Sequence, residues 1–278
     1  MKRFLISVPA LLLCAIAFSQ TAEEFKARYE RQVKNVGNDG VGVETIIDRW
    51  EEAYPTDINM FIARFNYCYT KSQTTEMITR SSSRYLGQKP AFTLKDSAGN
   101  DVNYFEDITF DTDLFARAMT ALDTAVELSP NELRYRFSRI TALIAYEKES
   151  PDMAAEQISG LIDLNAKNSS NWTLDGAPLE ENTFEDAIAE YLYSFFRIGS
   201  EISYDYFYQI ASQMSRLYPK NTVFINDIGS YYQVVRKNNK QALKYYNKTL
   251  KIEPDNYAAK RNIKLIQSSQ SQKGQSSK

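Results

Sequence analysis

The stretch TVFINDIGSYYQVVRKNNKQALKYYNKTLKIEP, residues 222 to 254, decides the fold. Ile225, Ile228 and Tyr232 are spaced by three and four residues, so they lie on one side of an α-helix, with Gly229 beside them. Ala242, Tyr246 and Thr249 then mark one side of a second helix at offsets zero, four and seven, and Pro254 stops it. Two helices joined by a turn between Arg236 and Asn239 result. A glycine on the packing side of the first allows the second to approach closely.

The second half of that stretch recurs. The frame of two packing residues at plus four and plus seven and a proline at plus twelve is met strictly in Ala118-Leu122-Ala125-Pro130 and in Ala242-Tyr246-Thr249-Pro254. It is met more loosely in Val43-Ile47-Trp50-Pro55 and Phe207-Ala211-Met214-Pro219, and without the proline in Ala154-Ile158-Leu161. The pattern large-x2-large-small-x2-Tyr at Ile225, Ile228-Gly229 and Tyr232, followed by the frame and by a terminal helix from Asp255 to Ile266, resembles the tetratricopeptide repeat (TPR) family. Pro219 to Pro254 spans 35 residues, against a family repeat of about 34, and the Arg236 to Asn239 turn is the natural place for the extra one. Phe65, Ile140, Trp50 and Met214 depart from the family pattern, standing where it has small residues.

The fold expected is therefore all-α: a TPR-like α-solenoid of five helical hairpins plus a C-terminal capping helix. The hairpins pair 22–36 with 43–53, 57–70 with 111–128, 131–147 with 152–164, 183–198 with 203–217, and 221–235 with 240–252. Residues 20–266 form the repeat domain, interrupted by insertions at 71–110 and 168–182. In the first, Phe92 and Leu94, the turn Ser97-Ala98-Gly99-Asn100, and Val102 and Tyr104 predict a β-hairpin with one apolar face. That face packs on the array or serves as a lid or an exposed edge strand for a partner. Trp172 in the second insertion is either a ligand anchor or folds back on neighbouring helices.

Composition narrows the chemistry. The 278 residues contain no histidine, which removes Ser-His-Asp and Cys-His nucleophile pairs and His-ligated zinc. Gly37, Gly40 and Gly42 lack the strand and the Lys-Ser or Lys-Thr of a phosphate loop, and Asp96 to Asp101 lacks the acidic periodicity of an EF-hand. Thr183 with Asp186 resembles a capping box that would account for the acidic group Glu180, Glu181, Glu185 and Asp186. No enzyme activity, metal or cofactor is expected.

At the ends, Met1-Lys2-Arg3, an apolar run from Phe4 to Phe18 and small residues at Ala15, Ala17 and Ser19 read as a signal peptide over 1–19. Leu13 before Cys14 argues against a lipoprotein box. The mature chain is expected to be exported, periplasmic or secreted, and not membrane-spanning. It keeps Cys68 alone, on the face of Phe61 and Phe65, as a small buried apolar residue. The tail 267–278, rich in Ser, Gln and Lys, is expected to be disordered.

The TPR resemblance implies a protein or peptide partner held on the concave side lined by first helices. Phase places Asn226, Ser230 and Gln233 there, with Asn66 and Tyr69 in an earlier first helix and Arg134 as a charge; asparagine and arginine suit a bound backbone or carboxylate. Residues 1 to 215 hold 20 basic and 32 acidic side chains, net -12, and residues 216 to 278 hold 13 and 3, net +10. Lys240, Lys244, Lys248 and Lys251 form a basic stripe on one helix face. This polarity serves as a solvated face, meets an anionic envelope surface or polymer, or supports self-association; nucleic acid is not expected. A glycan-binding alternative rests on 19 Tyr and 15 Phe, with Tyr193, Tyr204 and Tyr206 the rings whose phase allows exposure.

Overall fold

The structure, a computed structural model, describes residues 20–168 and 171–275. The expected signal peptide with Cys14, and the last three residues, lie outside the described residues.

The first helix, α1 (Ala22–Val36), opens at Thr21, whose hydroxyl accepts from the Glu24 amide while the Glu24 carboxylate accepts from the Thr21 amide. It pairs with α2 (Val43–Ala53) across the glycine-rich turn. The array continues with α3 (Ile58–Lys71) and α4 (Thr112–Leu128), α5 (Leu133–Glu147) and α6 (Asp152–Asn168), and α7 (Thr183–Ile198) and α8 (Glu201–Leu217). It ends with α9 (Thr222–Ser230), a π turn (Tyr231–Val235), α10 (Asn239–Ile252) and α11 (Tyr257–Gln275). The described residues form an all-α, TPR-like solenoid of five hairpins and a terminal helix, with a small β insertion.

Every packing residue of the five frames is buried, none more than 3% exposed. Burying each large aliphatic or aromatic side chain of this seam contributes roughly 1.5 to 3 kcal/mol, and the seam joins a wider core that includes Phe195, Phe224, Met60 and Leu133. Trp50, standing where the pattern has a small residue, is fully buried and donates from Nε1 to Asp57, the N-cap of α3, at 3.0 Å. Cys68 is also fully buried, and its thiol is pushed up by desolvation.

Four local expectations need correction. The extra residue of the last repeat is not in the Arg236 to Asn239 turn but within the helix: the Arg236 amide donates to the Tyr231 carbonyl at 3.1 Å, five residues back, so a π turn takes up the insertion. At the start of α7, Thr183 is the first helical residue, after Asn182 in the left-handed region with no side-chain cap. The capping-box reading therefore fails, although Glu185 and Asp186 do occupy the first turn. The polar tail is helical through Gln275 rather than disordered from Gln267, because Ser, Gln and Lys continue a helix that the buried Ile266 and Ala259 anchor on α10.

The fourth correction concerns the first insertion, which is a three-stranded antiparallel sheet in the order β1 (Gln73–Arg80), β3 (Asp101–Phe110), β2 (Phe92–Lys95). The expected hairpin is β2 with β3, pairing Phe92 with Tyr104 and Leu94 with Val102. One face of the sheet presents Phe105, Asn103 and Asp107 inward. Asp107 binds Lys148 at the end of α5 at 2.6 Å, and the loop at Gly87 abuts Arg197 at the end of α7. The other face, with Met77, Phe92, Leu94 and Ile108, is exposed. The sheet thus lies along the edge of the array where first helices end.

The second insertion sits on the opposite edge. Its small hairpin, β4 (Thr173–Leu174) and β5 (Ala177–Pro178), folds onto the start of α5, and Trp172 is buried, donating to Asn165 of α6 at 2.9 Å. Of its two readings, folding back on the helices is the one observed. Among the described residues no helix is long and apolar enough to cross a membrane.

Candidate functional site

First helices α3 and α5 border a cavity of about 480 Å³, lined also by Asn38 from the turn between α1 and α2. Three residues singled out in the sequence meet there: Asn66, Tyr69 and Arg134. Phe65 and Tyr69, one helical turn apart, stack with centroids 5.4 Å apart and form an aromatic floor. Tyr69 is braced from behind by Phe110 and Phe115 at 6.0 and 6.3 Å, and burial raises its hydroxyl pKa. On the facing wall, Arg134, Ser138 and Thr141 fall at offsets zero, four and seven of α5 and so share one side of it.

The charge of Arg134 is held by the second insertion. Its guanidinium makes a two-pronged ion pair with Asp175, which raises the pKa of Arg134 and lowers that of Asp175. The loop carrying Asp175 is fixed by Glu132, the N-cap of α5. That carboxylate accepts from the amides of Arg134, Asp175 and Gly176 at 3.2, 2.9 and 3.0 Å and from the Thr173 hydroxyl at 3.0 Å. Desolvation alone would raise its pKa, but together these donors hold it below the usual carboxylate value. The cavity therefore offers amide and hydroxyl groups beside an aromatic floor, with an arginine whose counter-ion is on a surface loop.

The other three residues are not part of this cavity. Asn226 is buried and donates to Asn256 at 3.1 Å; Gln233 accepts from the Tyr246 hydroxyl at 2.7 Å; Ser230 lies 3.4 Å from the same hydroxyl. They tie α9 and the π turn to α10 and to the segment before α11. Helical phase set them beside the packing stripe as groove lining, and it could not reveal the hydroxyl and amide that reach them from other elements. Conversely, Ser138 and Thr141 were missed, although their spacing from Arg134 carries the signal.

Lys240, Lys244, Lys248 and Lys251 are all exposed on α10, opposite Ala242, Tyr246 and Thr249. Lys248 also lines a separate cavity between α8 and α10. The three tyrosines of the glycan alternative do not make a common platform. Tyr193 is 58% exposed with Arg197 over its ring, Tyr204 packs edge-on against Phe196, and Tyr206 donates to Asp152 at 2.8 Å.

No family model matches the chain, and no curated protein matches it. Among solved structures it is similar to YrrB, a TPR protein with an unusual peptide-binding site, at 12% identity and a TM-score of 0.39, over 88% of this chain and 100% of that one. It is similar to a MamA protein at 13% identity and a TM-score of 0.41, over 84% and 93% of the two chains. MamA from Desulfovibrio magneticus RS-1, residues 41 to the end, gives 11% identity and a TM-score of 0.40, over 87% and 99%. The TPR-like arrangement of this chain rests on its own proline-terminated hairpins and their buried seam.

Proposed function

We propose that this protein is a non-catalytic, exported scaffold of a bacterial cell envelope that holds an extended peptide or a segment of a partner protein between α3 and α5. The observation that carries the reading is the meeting of Asn66, Tyr69 and Arg134 in one groove. An extended chain presents amides and carbonyls at every residue, and Asn66, Ser138 and Thr141 offer complementary donors and acceptors. The stacked Phe65 and Tyr69 supply an apolar surface for an alternate side chain. Export is supported by the basic start and apolar run of residues 1–19.

The test is affinity capture from envelope extract with the purified protein, compared with a Thr141→Arg variant that fills the groove. Parent protein should retain a defined partner that the variant loses while keeping the parent's melting temperature. Retention of the same proteins by both would remove the groove from the function.

A further inference from the structure

A second cavity, about 660 Å³, lies on the other side of the array, between second helices α8 and α10, with Ser159 of α6 also in its lining. On α8, Tyr208, Gln209, Ser212, Gln213 and Arg216 share one face, and α10 contributes Tyr245 and Lys248. No carboxylate lines it, although the chain up to residue 215 is acidic. Neither Arg216 nor Lys248 makes an ion pair among the described residues, and the side chains of Ser159, Gln209 and Ser212 have no hydrogen-bond partner there. The only aliphatic side chain in the lining is Ile228.

The aromatic wall is held rigidly. Tyr208 stacks on Tyr231 at 4.6 Å and Tyr245 on Tyr232 at 5.6 Å, while the hydroxyls of Tyr208 and Tyr232 are 3.4 Å apart. Tyr231 and Tyr232 belong to the π turn, so this irregular turn braces both tyrosines of the cleft. Gln213 Nε2 donates to Asp163 of α6 at 2.9 Å and the Ser215 hydroxyl to the Ser212 carbonyl at 3.1 Å, which leaves the hydroxyls of Ser159 and Ser212 and the amide of Gln209 for a ligand. A cleft with flat rings, these free polar groups, two cations without an ion pair and one aliphatic side chain fits a hydroxyl-rich anion. It does not fit an apolar side chain.

We infer that this cleft binds an acidic oligosaccharide, with Arg216 and Lys248 engaging its carboxylates, Ser159, Ser212 and Gln209 its hydroxyls, and the tyrosines its ring faces. The site is separate from the groove between α3 and α5, so the protein would bridge a peptide and an anionic glycan on opposite sides of the array.

Calorimetric titration of the purified chain with a short oligogalacturonate, a neutral malto-oligosaccharide of equal length, inorganic phosphate and an acidic peptide tests this. Only the oligogalacturonate should bind. Arg216→Gln and Lys248→Gln should each weaken it by about tenfold, as expected for loss of one charge-assisted hydrogen bond. Ser212→Trp should abolish binding by filling the cleft. Lys251→Gln, on the same helix but outside the cavity, and Thr141→Arg in the other groove should leave it unchanged, with all melting temperatures close to the parent's. Equal binding of the neutral sugar, binding of the peptide or phosphate in place of the sugar, or a loss with Lys251→Gln equal to that with Lys248→Gln would each overturn the inference. Because the peptide groove is probed by a different variant, failure here leaves that reading standing or falling on its own test.

Discussion

Gly229 of α9 lies so close beneath Tyr246 of α10 that a Cβ on it would stand 2.5 Å from Cε1 and 2.8 Å from Cδ1 of the ring. Tyr246 is fully buried and its hydroxyl is held by Gln233 at 2.7 Å, so the ring cannot swing aside without losing that bond. The contact leaves no room even for the single methyl group of alanine. Gly229→Ala should cost about 1 to 3 kcal/mol through overpacking, despite the better helix propensity of alanine. In a chain of this size that lowers the melting temperature by roughly 2 to 4 °C per kcal/mol. Adding Tyr246→Leu should recover part of the loss, a coupling that a double-mutant cycle would measure. Additive effects would show that the two side chains do not meet.

Trp172 gives a second prediction. Both tryptophans, Trp50 and Trp172, are buried, so native fluorescence should be blue-shifted and move to the red in a single step on unfolding in urea. Trp172→Ala should destabilise the protein by about 3 to 5 kcal/mol, as truncation of a buried aromatic does. Trp172→Phe should cost less but leave Asn165 Oδ1 without its donor. An alanine variant that unfolds at the parent's urea midpoint would mean that the 171–182 segment is an independent loop.

The reach of the sequence differs between these elements. Helices α1 and α2 run over the residues their spacing indicated, because Thr21, the glycine turn and Pro55 are local signals read by neighbouring backbone. Strand β1 was not legible: Gln73-Thr-Thr-Glu-Met-Ile-Thr-Arg80 lacks apolar alternation, and it is a strand because β3, over twenty residues away, pairs with it from Gln73↔Phe110 to Arg80↔Asn103. The π turn was invisible for a related reason, since one added residue fits a loop or a widened turn equally well by length alone. Within the groove, offsets found the α3 wall, while the ion pair of Arg134 with Asp175 depends on where a loop 41 residues later returns.

Glu132 makes that return sensitive to acid. Its folded-state pKa is lowered, so its contribution to stability is complete above the unfolded value of about 4.3 and is lost as pH falls through the lower, folded-state value. Protonation replaces an acceptor of four hydrogen bonds with a group that must also place its own proton. Glu132→Gln should therefore cost about 1 to 3 kcal/mol at neutral pH by leaving buried donors unmatched. Proteolysis within 173–182 should accelerate in the variant, and in the parent below pH about 4. Equal cleavage rates for parent and variant at neutral pH would remove Glu132 as the anchor of the loop.

Asp227 gives the opposite dependence. Packing around α9 desolvates its carboxyl and pushes its pKa up to about 7, and no cation pairs with it among the described residues. Below an unfolded value near 3.9 both states hold the proton and the shift costs nothing. Between there and about 7 the unfolded chain releases its proton while the folded chain keeps it, so the penalty on folding grows with pH and is complete above about 7. The Tyr246 hydroxyl, whose pKa is also raised and which senses the Asp227 charge, stays neutral throughout this range and cannot compensate. Asp227→Asn, which removes the charge at nearly constant shape, should raise the melting temperature at pH about 8 far more than at pH about 5. The parent should lose stability over that interval and the variant should not. If the two melting curves shift in parallel with pH, the carboxyl is solvated in the folded protein and α9 packs less tightly around it than the structure shows.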